Sequence, residues 1–292
     1  MSNFLFGLVF SKKDPVSMNT FRTLREFVSD ISSCDEIQKL SSIDYDLFIS
    51  KELNALLIVT SEDLIYAENV NSFRWYVNRF IFVSRHESSS HLPSLLTHFP
   101  GNWLRENPLG GNPEELGVAD PIFEKTYFQM LLETVEEFNL DDKYHVSLEA
   151  THHGPTSIEK PVTFIEIGSS PQEWNDQKAI KTLIESLIKT LKTLSCSNVK
   201  YTKVAVGFGG PHYAPTFTKI VSQTDIAIAH IASRYVIDKA TDTILLNALE
   251  KSYTKPTMIL LDWKGLRKSQ RDRLLRIFSN TNLEILKTKA LL

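Results

Sequence analysis

Strand-like and helical patterns alternate along almost the whole chain, and this alternation limits the folds that the sequence can adopt. Runs rich in β-branched and aromatic residues predict strands at 4–10, 46–49, 55–60, 79–83, 145–150, 162–167, 203–206, 226–230, 257–261 and 283–286. Helical spacing predicts a first helix that begins after Asn19 or Thr20 and a second over 121–140. A third helix is predicted after a cap at Ser169 or Ser170, and two more over 241–251 and 269–279. We therefore expect an α/β fold with a mixed, largely parallel sheet flanked by helices.

The chain shows no repeat and no low-complexity linker that would divide it. We predict one α/β domain over residues 1–292, with an irregular loop insertion at about 84–121, where Pro, Gly, Asn and Ser are frequent. The apolar start lacks a preceding basic region, and no apolar stretch reaches bilayer length, so we expect a first strand and a soluble protein. Cys34 and Cys196 are too isolated for a disulfide framework, which fits a reducing, cytoplasmic compartment.

The charge of the chain is unevenly distributed. The formal net charge of −3 gives no global attraction to nucleic acid. Residues 251–292 nevertheless hold ten Lys or Arg against three acidic residues, so this part carries +7 and the other 250 residues carry −10. A basic end on an acidic body suits a phosphate-bearing partner, but on composition alone a solvated helix face is the simpler interpretation.

Two adjacent histidines, His152 and His153, follow an apolar run and precede Gly154 and Pro155. Two bulky polar rings at one strand end add little to packing, so a functional role is favoured. The next apolar run, FIEIG, carries Glu166. Burying a carboxylate is costly unless it is paired or ligated, so Glu166 is also favoured as a functional residue.

Further histidines lie in or near other apolar runs. Residues 84–102 carry His86, His91 and His98, but HESSSH is not the metalloprotease motif HExxH, because its histidines would not share a helix face. They can still converge from a loop. His230, within AIAHIA, is interpreted as a hydrogen-bonded core histidine.

A glycine-rich turn follows the strand predicted at 203–206. The sequence GFGGPHYAP lacks the Gly-Lys-Ser/Thr of a P-loop and the spacing of the dinucleotide-binding fingerprint. Its glycines permit positive φ and close approach of backbone N–H groups to an anion. We interpret it as a turn that presents His212.

Clustered histidines and carboxylates can support hydrolysis by two routes. Three such groups around zinc, with an open coordination position, lower the pKa of a bound water to about 7. A histidine without a metal titrates near pH ~6.5 and can take a proton from water or a hydroxyl. The residue types leave both routes open.

Several long motifs resemble one known family: EATHHGPTS, PVTFIEIGSSPQEW, GFGGPHYAPTFTK, and SRH followed by LTHFPGN. They resemble the archaeal and plant type of D-aminoacyl-tRNA deacylase. The resemblance implies a cytosolic enzyme that hydrolyses the ester between a D-amino acid and the terminal ribose of tRNA, releasing both. It also implies zinc and an α/β fold similar to phosphorylases and peptidyl-tRNA hydrolases. A glycine is usual in that family near the place of His91, so His91 is a departure and a poor candidate for shared chemistry.

The residues and the resemblance together define a hypothesis for the site. The expected catalytic residues are His152, His153, Glu166 and His212. The expected metal ligands are His86, His98, His152 and His212. The expected contacts to the aminoacyl end are Thr156, Gly209, Gly210 and Tyr213. The expected contacts to tRNA phosphates are Lys264, Arg267, Lys268 and Arg271. We expect a monomer that binds the aminoacylated end of tRNA and no membrane.

Three other functions compete with this hypothesis. A metal-dependent amidohydrolase or peptidase for a small substrate would need the same histidines and would leave the basic end without a role. A noncatalytic RNA-binding module would place basic and stacking aromatic residues where this chain concentrates histidine and glutamate. A phosphorylase-like nucleoside enzyme fits the same fold, but fold does not fix function.

Overall fold

A computed structural model describes residues 4–34, 45–196 and 203–292. Its strands are Phe4–Ser11 (β1), Ser32–Ser33 (β2), Asp46–Ser50 (β3), Ala55–Thr60 (β4), Val77–Glu87 (β5), Ser94–His98 (β6), His145–Leu148 (β7), Val162–Ser169 (β8), Lys203–Phe208 (β9), Ile226–Ala232 (β10), Met258–Leu261 (β11) and Glu284–Lys287 (β12). Its α-helices are Pro15–Phe27 (α1), Pro121–Glu137 (α2), Pro171–Trp174 (α3), Gln177–Cys196 (α4), Pro215–Gln223 (α5), Arg234–Ile237 (α6), Asp242–Asn247 (α7) and Lys268–Phe278 (α8). Short 3₁₀ helices lie at Leu64–Tyr66, Glu68–Phe73 and Thr288–Ala290.

The described strands form two sheets. The first has the order β2-β3-β4-β1-β5-β8-β6-β7, in which β4, β1, β5 and β8 run parallel and β6 runs antiparallel to β8. The second has the order β10-β9-β11-β12 and is parallel throughout. The predicted class, a mixed, largely parallel α/β fold, is confirmed.

Helix α2 packs between the two sheets. Its Phe123 and Tyr127 belong to the core that the first sheet forms with α1 and α4, whereas Phe128 packs with residues of the second sheet and α5. Lys125 extends from the same helix and donates to the carbonyls of Val221 and Thr224 beyond α5. One helix therefore fixes the second sheet against the first. The single domain over residues 1–292 stays a prediction.

The local capping residues explain where the helices differ from the predicted boundaries. Helix α1 begins at Pro15 and not after Asn19 or Thr20, because Asp14 accepts from Ser17 N at 2.9 Å and is the N-cap. The predicted cap at Ser170 is confirmed, with Glu173 completing a capping box. The single helix predicted beyond it is two helices, α3 and α4. Helices α5 and α6 were not predicted.

The predicted irregular insertion contains regular structure, which corrects that part of the sequence analysis. Strand β5 continues to Glu87, and β6 lies between β8 and β7. All five residues of β6 are buried, so both of its faces pack against the protein. The strand therefore lacks the alternation of apolar and polar residues by which a half-buried strand is recognised in a sequence. Residues 84–87 and 94–98 of the predicted insertion therefore belong to the sheet, and residues 88–93 form the loop between them.

The position of β6 predicts a stability difference between two nearby leucines. Leu95 is buried in the core, whereas Leu92 is 41% exposed in the loop before the strand. We expect Leu95→Ala to lower the free energy of unfolding by about 2–5 kcal/mol. The matched control Leu92→Ala should change it by less than about 0.5 kcal/mol. Denaturant unfolding measures both, and equal small effects would contradict the position of β6.

Candidate active site

The site lies where one face of β5 and β8 changes from apolar to polar. Side chains alternate across a strand, so Phe82, Ser84 and His86 share a face of β5, and Phe164 and Glu166 share the corresponding face of β8. Ser84 pairs with Glu166 in the strand register. The polar residues therefore replace a continuing apolar core at the carboxyl ends of these two strands.

Two further segments bring histidines to the same place. Strand β6 ends at His98, which pairs with Phe164 and stacks on its ring at 5.1 Å between centroids. The segment after β7 carries Glu149, His152 and His153. The loop 209–214 is held against this segment because Ala150 N donates to the His212 carbonyl at 2.7 Å. Ser147 Oγ also donates to the Tyr213 carbonyl at 2.5 Å.

A pocket of about 710 Å³ contains most of the predicted site. The predicted residues that line it are His86, His152, His153, Glu166, His212 and Tyr213. His98 is fully buried next to this lining, with its ring 4.2 Å from that of His152. The structure therefore brings together seven of the residues that the sequence analysis selected.

Glu166 is the centre of a buried network of charges. Ser84 Oγ donates to Glu166 Oε1 at 2.5 Å, while His86 Nδ1 lies 3.4 Å from Oε2 and His98 Nε2 lies 3.7 Å from Oε1. Burial acts to raise the pKa of Glu166, but the two histidines outweigh it and hold that pKa well below its usual value. Burial likewise acts to lower the pKa of His86, yet Glu166 and Glu149 raise it to about 10.

His152 and His153 are held as neutral rings. Burial, followed by the charges of His98, His153 and His212, lowers the pKa of His152 well below its usual value. Burial and the charge of His98 lower the pKa of His153 to about 3. Since neutral imidazole is the form that binds a metal, His152 and His153 are in the required protonation state.

Three rings have their orientation fixed by backbone carbonyls. The Nδ1 atoms of His152, His153 and His98 contact the carbonyls of Ala150, Gly154 and Phe99 at 2.8, 2.6 and 3.3 Å. Each contact leaves Nε2 as the remaining ring nitrogen. Outer contacts of this kind select the tautomer of metal-binding histidines.

Glu149 is the residue whose surroundings are least complete. It is 2% exposed, and neither carboxylate oxygen has a hydrogen-bond partner among the described residues. His212 Nε2 lies 2.9 Å from Oε1 and His86 Nδ1 lies 3.5 Å from Oε2, both without hydrogen-bond geometry. A buried carboxylate that lacks hydrogen bonds is disfavoured, and a bound cation would supply the missing interactions. In three groups of residues the potential metal-binding atoms lie within 4.8 Å of one another. The first group is Glu149, His152 and His212. The other two are His98, His152 and His153, and His86, Glu149 and Glu166.

Other predicted residues lie outside this pocket. Thr156 braces a neighbouring loop, where its hydroxyl donates to Glu115 at 2.7 Å and accepts from Asn112 N at 2.8 Å. Gly209 and Gly210 have φ of +110° and +75° and lie against Leu266 and Asp262. The four predicted phosphate contacts lie around α8: Lys264, Arg267, Lys268 and Arg271. The predicted core role of His230 is confirmed by its bonds to the Gly117 and Lys251 carbonyls.

Several residues at or next to the pocket are absent from the sequence hypothesis. Glu149 is one of them, although its place at the end of an apolar run is a signal similar to that of Glu166. Ser84 was not selected because its role depends on pairing with a distant strand. The apolar side of the pocket, Leu64, Ile65, Tyr66 and Leu109, comes from segments without a recognisable motif.

Comparisons with known proteins agree on one family. The family described as D-aminoacyl-tRNA deacylase matches residues 73–286. A D-aminoacyl-tRNA deacylase of Methanocaldococcus jannaschii is 30% identical over 282 residues, which cover 96% of this chain and 98% of that protein. The enzyme of Pyrococcus furiosus is 35% identical over 80% of this chain and 83% of its own length. A crystal structure of a conserved protein of unknown function has a TM-score of 0.87 at 27% identity and covers 100% of this chain and 98% of its own.

The surroundings of Thr156 predict a structural role for its hydroxyl. We expect Thr156→Val to lower the free energy of unfolding by about 1–3 kcal/mol, because Glu115 and Asn112 N lose a buried partner. The control Thr156→Ser keeps the hydroxyl and should lose less. Chemical denaturation compares the two, and a fully stable Thr156→Val variant would contradict this role.

Proposed function

The chain belongs to the D-aminoacyl-tRNA deacylase family, and we propose that it hydrolyses the ester of D-aminoacyl-tRNA to free D-amino acid and tRNA. Similarity over nearly the full length of the Methanocaldococcus jannaschii enzyme favours this reaction over a small-substrate amidohydrolase or peptidase. The single structural observation that supports it best is the pocket lined by His152, His212, Glu166, His86 and Tyr213. The buried Glu149 lies next to His152 and His212. Recycling of mischarged tRNA in the cytoplasm follows as the proposed role. We further propose that it acts as a monomer.

Zinc is the proposed cofactor, with Glu149, His152 and His212 as its ligands. This set joins a buried carboxylate that lacks hydrogen bonds to two rings that line the open pocket. A catalytic zinc site needs three protein ligands and an open position, which these residues fit. Bound there, zinc would polarise the ester carbonyl and lower the pKa of a water. The proposed set keeps His152 and His212 from the sequence hypothesis, adds Glu149, and leaves out His86 and His98.

The proton transfers are proposed to use Glu166, His86 and Tyr213. Glu166 is ionised and takes a proton from the attacking water. His86 Nδ1 faces Glu166, and its Nε2 lies 3.1 Å from the Tyr213 hydroxyl. Because its pKa is about 10, His86 is protonated at neutral pH and supplies a proton through Tyr213 to the departing ribose oxygen. One proton leaves water and one reaches the ribose, so the reaction balances.

The amino acid is proposed to occupy the other side of the pocket. Leu64, Ile65, Tyr66 and Leu109 provide an apolar surface for its side chain. Both carboxylate oxygens of Asp14 accept backbone N–H groups, from Ser17 and Arg85. Asp63 is therefore the better placed carboxylate for the α-ammonium group. Tyr213 serves the ester end, and Lys264, Arg267, Lys268 and Arg271 are proposed to contact phosphates of the tRNA.

The proposed proton route predicts the effect of two conservative substitutions. Tyr213→Phe and His86→Asn should lower kcat for D-aminoacyl-tRNA by about 10²–10⁴-fold, because general acid catalysis contributes that much. Zinc content should stay unchanged in both. Single-turnover hydrolysis of matched D- and L-aminoacyl-tRNA measures the effect.

A surface histidine serves as the control for that experiment. His91 is exposed and has a φ of +49°. Asn tolerates this backbone conformation, so His91→Asn should leave both the local backbone and kcat unchanged. Equal cleavage of the D- and L-substrates by the wild type would refute the proposed function. Full activity of Tyr213→Phe would refute the proton route.

The proposed ligands predict which variants lose zinc. Glu149→Gln keeps the shape of the side chain but removes its charge, so it should weaken zinc binding by more than the roughly 10–100-fold that loss of an outer contact costs. His86→Asn should bind zinc like the wild type, because His86 is outside the proposed ligand set. Competition with a chelator followed by elemental analysis measures both. Normal zinc affinity of Glu149→Gln would contradict this assignment.

A further inference from the structure

The second sheet has its own crevice at the carboxyl ends of its strands. In the order β10-β9-β11-β12, the chain passes from β9 to β10 on one side of β9. It then returns to the opposite side of β9 to form β11 and β12. Open parallel sheets bind ligands where the strand order reverses in this way, here between β9 and β11. The residues after these two strands meet closely, since a Cβ on Gly210 would lie 3.0 Å from Asp262 Oδ2.

Two cavities adjoin this crevice and share Lys264 and Gly265. One, of about 460 Å³, is also lined by Arg234, Tyr235 and Arg267. The other, of about 480 Å³, is also lined by Trp263, Lys287 and Lys289. Lys287 and Lys289 come from the end of β12 and the turn after it, so the basic residues come from three separate segments and not from one helix face.

Positive charge dominates this surface because the two cavities are lined by five Lys or Arg residues and only two Asp residues. Arg267 pairs with Asp238. Asp262 is 7% exposed, and it accepts from Thr216 Oγ1 at 3.2 Å and from Gly265 N at 3.3 Å. Four exposed cations remain along the two cavities, namely Arg234, Lys264, Lys287 and Lys289. We name these four residues the basic edge.

A single short loop links the basic edge to the catalytic pocket. In the loop 209–214, Gly210 contacts Asp262, while His212 and Tyr213 line the pocket. Two residues of extended chain span at most about 7 Å, so Gly210 in the crevice lies close to His212 in the pocket. Tyr235, 59% exposed with the Arg234 guanidinium 4.9 Å from its ring centroid, adds an aromatic surface there.

We propose that the basic edge is the docking surface for the phosphates of the tRNA acceptor end, which directs the aminoacylated terminus into the pocket. This inference rests on the proposed function and extends it, because Arg234, Lys287 and Lys289 lie outside the predicted phosphate contacts. RNA is the partner because separate cations along an edge fit a series of backbone phosphates. Such contacts position the RNA without reading its sequence.

The test measures binding separately from chemistry. Deacylated tRNA is titrated against the full chain and its variants across a salt series from about 50 to 200 mM. The substituted proteins are Arg234→Ala, Lys289→Ala and their double variant, with one substitution in each cavity. The matched controls are Lys255→Ala and Arg276→Ala, which remove an exposed charge from the same basic region outside both cavities. Hydrolysis of a D-aminoacyl ester of adenosine, which has no phosphate, is measured in parallel.

The proposal predicts a specific pattern of results. The double variant should bind tRNA at least about tenfold more weakly, and each substitution should flatten the slope of log K against log salt by about 0.7–0.9. The controls should bind like the wild type, and hydrolysis of the adenosine ester should be unchanged in every variant. Equal losses in the controls, or unchanged tRNA affinity in the double variant, would overturn the docking surface. Failure of the wild type to cleave D-aminoacyl-tRNA would instead refute the proposed function, which the binding data do not depend on.

Discussion

The burial of Glu166 is the constraint on which the rest of the site depends. An ionised carboxylate within a strand is stable only if its oxygens are bonded and its charge is offset. Ser84 bonds one oxygen, and His86 and His98 supply the positive charge. These partners come from the strands on either side of β8, so the order β5, β8, β6 is required for the site as well as for the fold.

The same carboxylate separates the histidines into two groups. His86 and His98 lie next to Glu166, which raises their pKa values despite burial, whereas His152 and His153 face other cations and have lowered pKa values. Charged rings can donate protons, and neutral rings can bind a metal. Four similar side chains in one pocket can therefore serve different chemical tasks, because their environments differ.

Most of the strands could be predicted from the sequence because each of these carries an apolar run. His152 and His153 could be selected as candidates because they follow such a run, and Glu166 because it interrupts one. Strand β6 was missed because both of its faces are buried, and the start of α1 was misplaced because Asp14 was not recognised as its cap. Ser84 and the apolar side of the pocket depend on which strands become neighbours. That information arises only from the packed fold, since local periodicity does not specify strand order.

The association of two sheets would give the proposed tRNA substrate two separate contacts. The centre in the first sheet is small and buried, so it could contact only a minor part of a tRNA. The exposed cations of the second sheet would gain affinity for the RNA through released counterions. Binding energy from a remote part of a substrate can be used to orient the reacting group. Because the loop 209–214 carries Gly210 on one side and His212 on the other, a shift of the docked RNA would act directly on a proposed zinc ligand.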